Sequence, residues 1–575
     1  MRSAKRNSTK SVPHETNTDL KDAQRRKALY GILTLGGAVA GLAVTHQAHA
    51  LTTTTSDSPV EKIGALNELK IHLPQSYKNY LGTDLYKMVL VEGHSTSNDG
   101  GGGMYNWIPG STLPADEGSV IASLASGIAP GQWVRLQDQQ TINVLRFGAD
   151  PSGRLDSSDA IQRAINHASR NGGGTVFIPS GNFLCGSSKT IELKSNITIQ
   201  GAGHNSVLTL ANNSPIYGSQ ALLIAYEQTN LEVRDIAFEG NRAYNTNLVT
   251  MVKFNNCSNI LVQNCVFRNS PNNSIYASDG SSNVRMLNNV SLNSAGTSYR
   301  VAGTALKYCE RVVIEGNLAY NDGSTAIQYD GFVAAKYNCR DITIANNKFF
   351  SHPKTQMSIA LWFTDNVENV TISGNMIKSM YGIDASGIRI DGTFSTIKIA
   401  NNIIDNVSQA IRVVGTAQGK NLSITNNQIT RLPSLGIAIL PKNPGLVTQV
   451  VISGNTITDN LTRQIINIAA NGVSIVGNSL SHGSTTGGHA ILCTGTHNVI
   501  ANNRIDCNHS IARGVELYGN YNIVSGNIIQ NTGGTHAIRE SKSDHNTITN
   551  NILINTKGIF ALNTDSSIKD NVLYA

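Results

Sequence analysis

Apolar and polar residues alternate in a short phrase that returns every 20 to 30 residues from about residue 257 onward. Each phrase has two alternating apolar residues, a small or polar residue and then Asn. The phrase ends at twelve positions: Asn289, Asn317, Asn347, Asn375, Asn402, Asn427, Asn455, Asn478, Asn503, Asn527, Asn551 and Asn571. The alternation predicts β-strands, and the Gly, Asn, Asp and Ser residues around it predict turns.

A repeat of this length predicts a solenoid in which each coil buries its apolar side against its neighbours. We therefore predict an all-β fold, a right-handed single-stranded parallel β-helix. Leucine-rich repeats share this period and are the alternative, but they require regularly spaced Leu and a helix in each repeat. We expect the repeated Asn residues to be structural, because stacked amides can hydrogen-bond to the next coil and Asn can adopt turn conformations.

The first 50 residues follow the pattern of an export signal. A polar stretch, residues 1–24, is followed by Arg25, Arg26 and Lys27, by an uncharged apolar run, residues 28–44, and by Ala48-His49-Ala50. This predicts a twin-arginine-like signal that is cleaved after Ala50 and delivers the protein to the periplasm or the cell exterior. An uncleaved anchor is the alternative, although the run is short for a membrane span. After cleavage we expect no membrane association.

Three segments are predicted downstream of the signal. Residues 51–68 begin with a run of Thr and form a linker, and residues 69–140 contain short strand patterns and a Gly-rich loop. We interpret residues 69–140 as a small β module, because a solenoid needs a cap over the apolar side chains and strand edges of its first coil. Residues 141–575 form the predicted β-helix, with an N-terminal cap at 141–185.

The predicted cap contains the most specific motifs. Asp156-Ser157-Ser158-Asp159 precedes a helical pattern that stops at Gly172-Gly173-Gly174, and a strand then ends at Pro179-Ser180-Gly181. In these motifs the chain resembles the pectate-lyase-like superfamily, which includes polysaccharide lyases, polygalacturonase-type glycoside hydrolases and tailspike depolymerases. The resemblance covers residues 85–575 and implies that the helix seals the β-helix. It implies a polysaccharide ligand but fixes no reaction.

Composition excludes few classes of function. The 45 Lys and Arg residues exceed the 38 Asp and Glu residues and give a net charge of +7. This mild excess is compatible with an anionic ligand, but no basic cluster interleaved with aromatic residues predicts nucleic-acid binding. No metal-binding motif is present and we expect no cofactor, although calcium held between outer-face Asp residues and an acidic substrate stays open. A monomer and a homotrimer are both open.

The seven Cys residues do not form a disulfide framework for so long a chain. Cys309 and Cys339 each precede their repeated Asn by eight residues, so the repeat stacks them in adjacent coils. A disulfide bond and two stacked free thiols are both compatible with that spacing.

Ligands must bind an outer face, because the interior of a β-helix is packed. A second strand is expected after each repeated Asn; the first four are predicted at 305–308, 327–330, 359–362 and 388–391, and their outward side chains should form a column. We expect catalytic roles for Asp330, Arg389 and Asp391, and substrate binding by Lys307, Gln328, Trp362 and Arg412.

Two chemistries could use this column. Asp330 and Asp391 would lie two coils, or about 9 to 10 Å, apart, near the separation of the two carboxylates in inverting glycosidases. Alternatively, Arg389, Arg412 or Lys307 could neutralise a uronate carboxylate while a base removes the adjacent proton, as in a lyase. The excess of cations favours an acidic substrate. A uronan epimerase, a noncatalytic carbohydrate-binding or exopolysaccharide-assembly protein, and ordinary surface charges paired between coils are the alternatives.

Overall fold

A computed structural model describes residues 60–79, 81–136, 141–217, 220–321, 331–352, 359–380, 385–460, 464–483, 487–508, 512–562 and 565–575. The predicted export signal, residues 1–50, lies outside these ranges. Within them, the smaller of two compact units contains residues 60–61, 76–79 and 81–88, and the larger contains 62–75 and the described residues from 89 onward. Nowhere in the described ranges is a helix both long and apolar enough to cross a membrane.

The larger unit contains a right-handed parallel β-helix of about 17 turns, which confirms the predicted fold. Strands in each sheet pair in parallel with the strands one coil before and after, as between Val367–Ser373 and Thr393–Ala400. We name the three sheets I, II and III in the order in which each coil visits them.

Sheet I comprises Thr141–Asn143, Gly174–Ile178, Ile197–Gly201, Thr229–Arg234, Ser258–Gln263, Ser282–Leu287, Cys309–Glu315, Cys339–Ala345, Val367–Ser373, Thr393–Ala400, Gln418–Thr425, Val447–Ser453, Ser474–Val476, Val499–Ala501, Ile523–Ser525, Thr547–Thr549 and Ser567–Lys569. Sheet II comprises Ser152–Asp156, Gly181–Cys185, Ser206–Leu210, Ala237–Glu239, Val266–Arg268, Val290–Leu292, Leu318–Asn321, Lys348–Ser351, Met376–Met380, Ile403–Val407, Gln428–Thr430, Thr456–Asn460, Ser479–His482, Arg504–Asp506, Ile528–Gln530, Ile552–Ile554 and Val572–Tyr574. Sheet III comprises Ile191–Glu192, Ala221–Tyr226, Thr250–Asn255, Ile275–Ser278, Tyr299–Ala302, Val333–Lys336, Ile359–Thr364, Ser386–Ile390, Gln409–Gly415, Leu435–Pro441, Gln464–Ile468, Gly488–Cys493, Ala512–Leu517, Ile538–Glu540 and Ile559–Phe560.

The N-terminal segment forms a five-stranded sheet. Its strands are Val60–Ala65, Met88–Gly93, Gly103–Pro109, Gly131–Arg135 and Val120–Ala122, with the short helix Leu66–Ile71 after the first. A separate antiparallel hairpin pairs Ser76–Lys78 with Asp84–Tyr86. Three-residue or four-residue 3₁₀ turns occur at Val144–Phe147, Arg242–Tyr244 and Pro444–Leu446.

The predicted capping helix is Ser158–Arg170. Its apolar face, which includes Ile161 and Ile165, is fully buried and belongs to the same hydrophobic cluster as the interior of the coils. The N-cap residue is Ser157, whose side chain makes no capping hydrogen bond; instead, the carboxylate of the preceding Asp156 accepts a hydrogen bond from the backbone N–H of Ser158 at 2.7 Å. Burial of this apolar face keeps water from the first coil.

The repeated Asn residues form the predicted buried ladder. For Asn427, Oδ1 accepts hydrogen bonds from both the backbone N–H and the side-chain amide of Asn402, and Nδ2 donates to Ile399 O and to Asn455 Oδ1, at 2.9 to 3.0 Å. The expectation that these Asn adopt the turn conformation themselves is wrong. Positive φ angles occur at the preceding residue, as at Asn426 with φ 54°, because the ladder side chain must point inward.

Cys309 and Cys339 occupy paired positions in sheet I, in adjacent coils. Both are buried free thiols, and burial raises the pKa of Cys309 to about 11. Of the two alternatives left open by the spacing, the structure contains the stacked thiols.

Candidate functional site

Sheet III presents a continuous column of outward side chains. In-register pairs run from Lys253 to Tyr276 and Arg300, and then through Ala334 to Trp362. The same register continues through Arg389 and Arg412 before the column becomes apolar at Ala438. We call the positions from Lys253 to Arg412 the sheet III track. The predicted column of Trp362, Arg389 and Arg412 is therefore a real set of neighbours, and it is longer than the sequence indicated.

One of the predicted strands in this sheet is wrong: residues 305–308 lie in a turn, and the strand of that coil is Tyr299–Ala302. The strand predicted at 327–330 lies outside the described residues, and the described strand of its coil is Val333–Lys336. In the first of these coils the turn follows the strand, whereas the prediction placed the strand later. Counting residues from the repeated Asn does not reveal on which side of a strand an insertion lies.

Lys307 consequently lies outside the track. It occupies an exposed turn between sheets III and I, where its backbone N–H donates to Thr304 Oγ1 at 3.1 Å and its carbonyl accepts from the backbone N–H of Thr304. Gln328 and Asp330 lie outside the described residues. The predicted separation of Asp330 and Asp391 therefore stays a prediction.

The centre of the track is a compact group of polar and charged side chains, which we call the Trp362 cluster: Lys336, Trp362, Arg389, Asp391 and Arg412. Lys336 Nζ lies 3.9 Å from the centre of the indole ring and comes from the preceding coil. Arg389 Cζ lies 5.8 Å from the same ring and comes from the following coil. The indole ring therefore contacts one cation from the coil before it and one from the coil after it, and its predicted role in substrate binding stays a prediction.

Asp391 is held in a fixed orientation at the end of Ser386–Ile390. Its Oδ2 accepts hydrogen bonds from Trp362 Nε1 at 3.1 Å and from Arg389 Nε at 2.7 Å. Its Oδ1 has no partner among the side chains that the structure describes. The Asp391 and Arg389 side chains keep 19% and 26% of their exposure, so a ligand on the face of sheet III can reach both.

Lys336 completes the Trp362 cluster and is not among the site residues predicted from the sequence. Val333 and Ala335 belong to the hydrophobic core, so alternation along Val333–Lys336 turns Ala334 and Lys336 toward the outer face, although all four residues are buried. The pattern becomes readable once the strand is located correctly. The cluster thus contains three cations and one carboxylate among its described members.

Two other groups of titratable residues lie in the C-terminal coils. Asp544, His545 and Asp565 could offer ligand atoms within 4.8 Å of one another, and this is the sole such cluster found in the described ranges. Glu516 is buried in sheet III, with Oε2 2.9 Å from His489 Nδ1 and Oε1 accepting from Ser541 Oγ at 2.8 Å. Burial opposes ionisation of Glu516, but these neighbours outweigh it and lower its pKa to about 2.

Comparison with known families agrees with this architecture. Residues 141–351 match a family model described as rhamnogalacturonase A/epimerase, pectate lyase-like, and residues 300–446 match a model of the right-handed β-helix region. The chain belongs to the pectate-lyase-like superfamily of right-handed parallel β-helix proteins.

Individual relatives match only in part. Alginate lyase 7 of Azotobacter vinelandii is 46% identical over 66 residues, or 11% of this chain and 8% of the relative. Mannuronan C5-epimerase AlgE6 of the same organism is 36% identical over 109 residues, or 18% of this chain and 12% of the relative. The chain spans less than a quarter of the length of the curated relatives it matches. The structure of an exopolygalacturonase from Thermotoga maritima is 16% identical and covers 76% of this chain and 93% of its own, with a TM-score of 0.40.

Proposed function

We propose that the protein is an exported enzyme that cleaves an anionic polysaccharide on the outer face of sheet III by lyase chemistry. The observation that carries the proposal is the Trp362 cluster, in which Trp362 and Arg389 hold Oδ2 of Asp391 while its Oδ1 has no partner among the described side chains. Lys336 and Arg412 add two further cations beside Trp362 and Arg389. The superfamily and the partial matches to an alginate lyase and a mannuronan epimerase support a polysaccharide substrate.

The two arginines suit the first requirement of elimination from a uronate. Arg389 and Arg412 occupy adjacent in-register positions, so their guanidinium groups can bind one carboxylate from two coils. Neutralising that carboxylate makes the hydrogen on the neighbouring carbon more acidic and stabilises the negative charge that develops when it leaves. Arg389 uses Nε for its ion pair with Asp391, which directs its terminal nitrogens away from that carboxylate.

Asp391 is the proposed general base. The indole N–H and Arg389 hold Oδ2, so Oδ1 is oriented to take the proton from the substrate carbon. The C–H electron pair then forms a carbon–carbon double bond, the adjacent glycosidic C–O bond breaks, and the departing oxygen takes up a proton from water. Hydrolysis would instead require a second carboxylate, such as Asp330, to act as an acid.

The test is incubation of purified protein with a panel of anionic polysaccharides, including the exopolysaccharide of its own source. We expect new reducing ends together with the ultraviolet absorbance of an unsaturated product. Asp391→Asn and Arg412→Gln should abolish both signals, whereas Arg285→Gln, which removes an exposed charge from sheet I, should change neither.

Other outcomes would contradict the lyase proposal in distinct ways. Reducing ends without ultraviolet absorbance would indicate a hydrolase, and a changed uronate configuration without cleavage would indicate an epimerase. Binding without any chemical change would leave a noncatalytic carbohydrate-binding role. Export is tested separately by N-terminal sequencing of the mature protein, with cleavage after Ala50 as the expected result.

A further inference from the structure

A second cluster on the sheet III track has the same construction as the Trp362 cluster. Lys253 Nζ lies 5.2 Å and Arg300 Cζ 4.9 Å from the centre of the Tyr276 ring, and they come from the preceding and the following coil. Asp279 is the acidic neighbour of this group, just as Asp391 is of the first, and it accepts a hydrogen bond from Asn255. We call Lys253, Tyr276 and Arg300 the Tyr276 cluster.

The two clusters repeat at a fixed interval along the β-helix. In-register pairing places Arg300 and Ala334 between Tyr276 and Trp362, so the two rings are three coils apart. At about 4.8 Å per coil, that interval is about 14 Å. Each ring has a cation in the coil before it and another in the coil after it. In the column of in-register residues, Ala334 lies between Arg300 and Trp362.

The charges within each cluster differ in accessibility. Lys253 is 6% exposed, and burial lowers its pKa. Its ammonium group therefore contacts the Tyr276 ring and is largely shielded from solvent. Arg300 is half-buried and extends from the outer face of sheet III, in line with Arg389 and Arg412. Arg300 is therefore the cation of the Tyr276 cluster that a bound polymer can contact.

We propose that the sheet III track binds a polysaccharide whose acidic groups recur at intervals of about 14 Å, with one group at Arg389 and the next at Arg300, three coils away. Such a polymer carries its acidic groups on some sugar residues and neutral sugars between them. A polymer with a carboxylate on every sugar would place one of them opposite Ala334, whose side chain is fully buried and offers no hydrogen-bond donor, and removing that charge from water without a partner is costly. This inference rests on the proposed function and specifies its substrate class.

The test uses three synthetic hexagalacturonates as probes, with binding measured by calorimetry in the Asp391→Asn background to prevent cleavage. In the first probe every carboxylate is free, in the second only those of the first and fourth sugars, and in the third only those of the first and second. All other carboxylates are methyl esters. We expect the second probe to bind roughly tenfold more tightly than the third, since it gains one additional charge-assisted contact.

Arg300→Gln should remove the difference between the second and third probes, whereas Arg300→Lys, which keeps the charge, should retain most of it. Arg285→Gln, on sheet I, is the matched control and should leave all three affinities unchanged. Thermal unfolding of each variant verifies the fold.

The outcomes separate the two proposals. Equal or tighter binding of the third probe, or no effect of Arg300→Gln, would overturn the proposed spacing. If Arg412→Gln still weakens binding in that case, the proposed function stands. Binding that is insensitive to both Arg300→Gln and Arg412→Gln would refute both, as would the absence of binding by any probe.

Discussion

The Asn ladder gives the sharpest prediction about stability, because one side chain carries several buried hydrogen bonds. Asn427→Ala removes the four hydrogen bonds that the side chain of Asn427 makes with Asn402, Ile399 and Asn455. A typical net contribution is about 1 kcal/mol each, so the free energy of unfolding should fall by about 4 kcal/mol. The backbone N–H of Asn402 and the carbonyl of Ile399 are left buried without these partners, which makes relaxation difficult.

The assay is urea unfolding followed by circular dichroism, with Asn426→Gly as the matched control. Asn426 is the exposed residue with positive φ that precedes the ladder, and the equivalent position is Gly in other coils, for example Gly454. Its replacement should change the free energy by less than about 1 kcal/mol, because Gly adopts positive φ without strain. An Asn427→Ala loss no larger than that of the control would refute the view that the ladder stabilises the stack.

Three further predictions concern individual side chains. Because the pKa of Glu516 is lowered from 4.5 to about 2, its ionised form stabilises the fold above pH 4.5 by about 3 kcal/mol, and this contribution is lost as the pH falls toward 2. Glu516→Gln should therefore flatten the acid limb of a plot of melting temperature against pH, and an unchanged limb would contradict this. Cys309 and Cys339 should react with an alkylating reagent only after unfolding, since both thiols are buried, and a reductant should not change the melting temperature of the native protein. Trp362→Phe keeps an aromatic ring but removes the indole N–H that holds Asp391, so turnover should fall roughly tenfold with little change in stability, and unchanged turnover would show that this hydrogen bond is dispensable.

The placement of sheet III shows where reasoning from sequence failed. The strands around Trp362, Arg389 and Arg412 were located correctly because their alternating apolar residues coincide with Ile359–Thr364, Ser386–Ile390 and Gln409–Gly415. Lys307 was misplaced because Ala305-Leu306-Lys307-Tyr308 alternates as a strand would, whereas the strand of that coil is Tyr299–Ala302. The same misplacement hid Arg300, and Lys253 and Tyr276 lie in coils before the first predicted strand of the column.

The sequence by itself determined the fold, because an apolar residue at every second position and an Asn in every coil satisfy only a stacked parallel solenoid. It also determined the capping helix, whose start and stop residues are local signals. Only the tertiary structure decided which side chains share a face, because that depends on the register between coils and on the side of each strand where extra residues are accommodated. The cation–aromatic clusters around Tyr276 and Trp362 arise from contacts between residues 23 to 27 positions apart, and spacing within a single coil does not encode them.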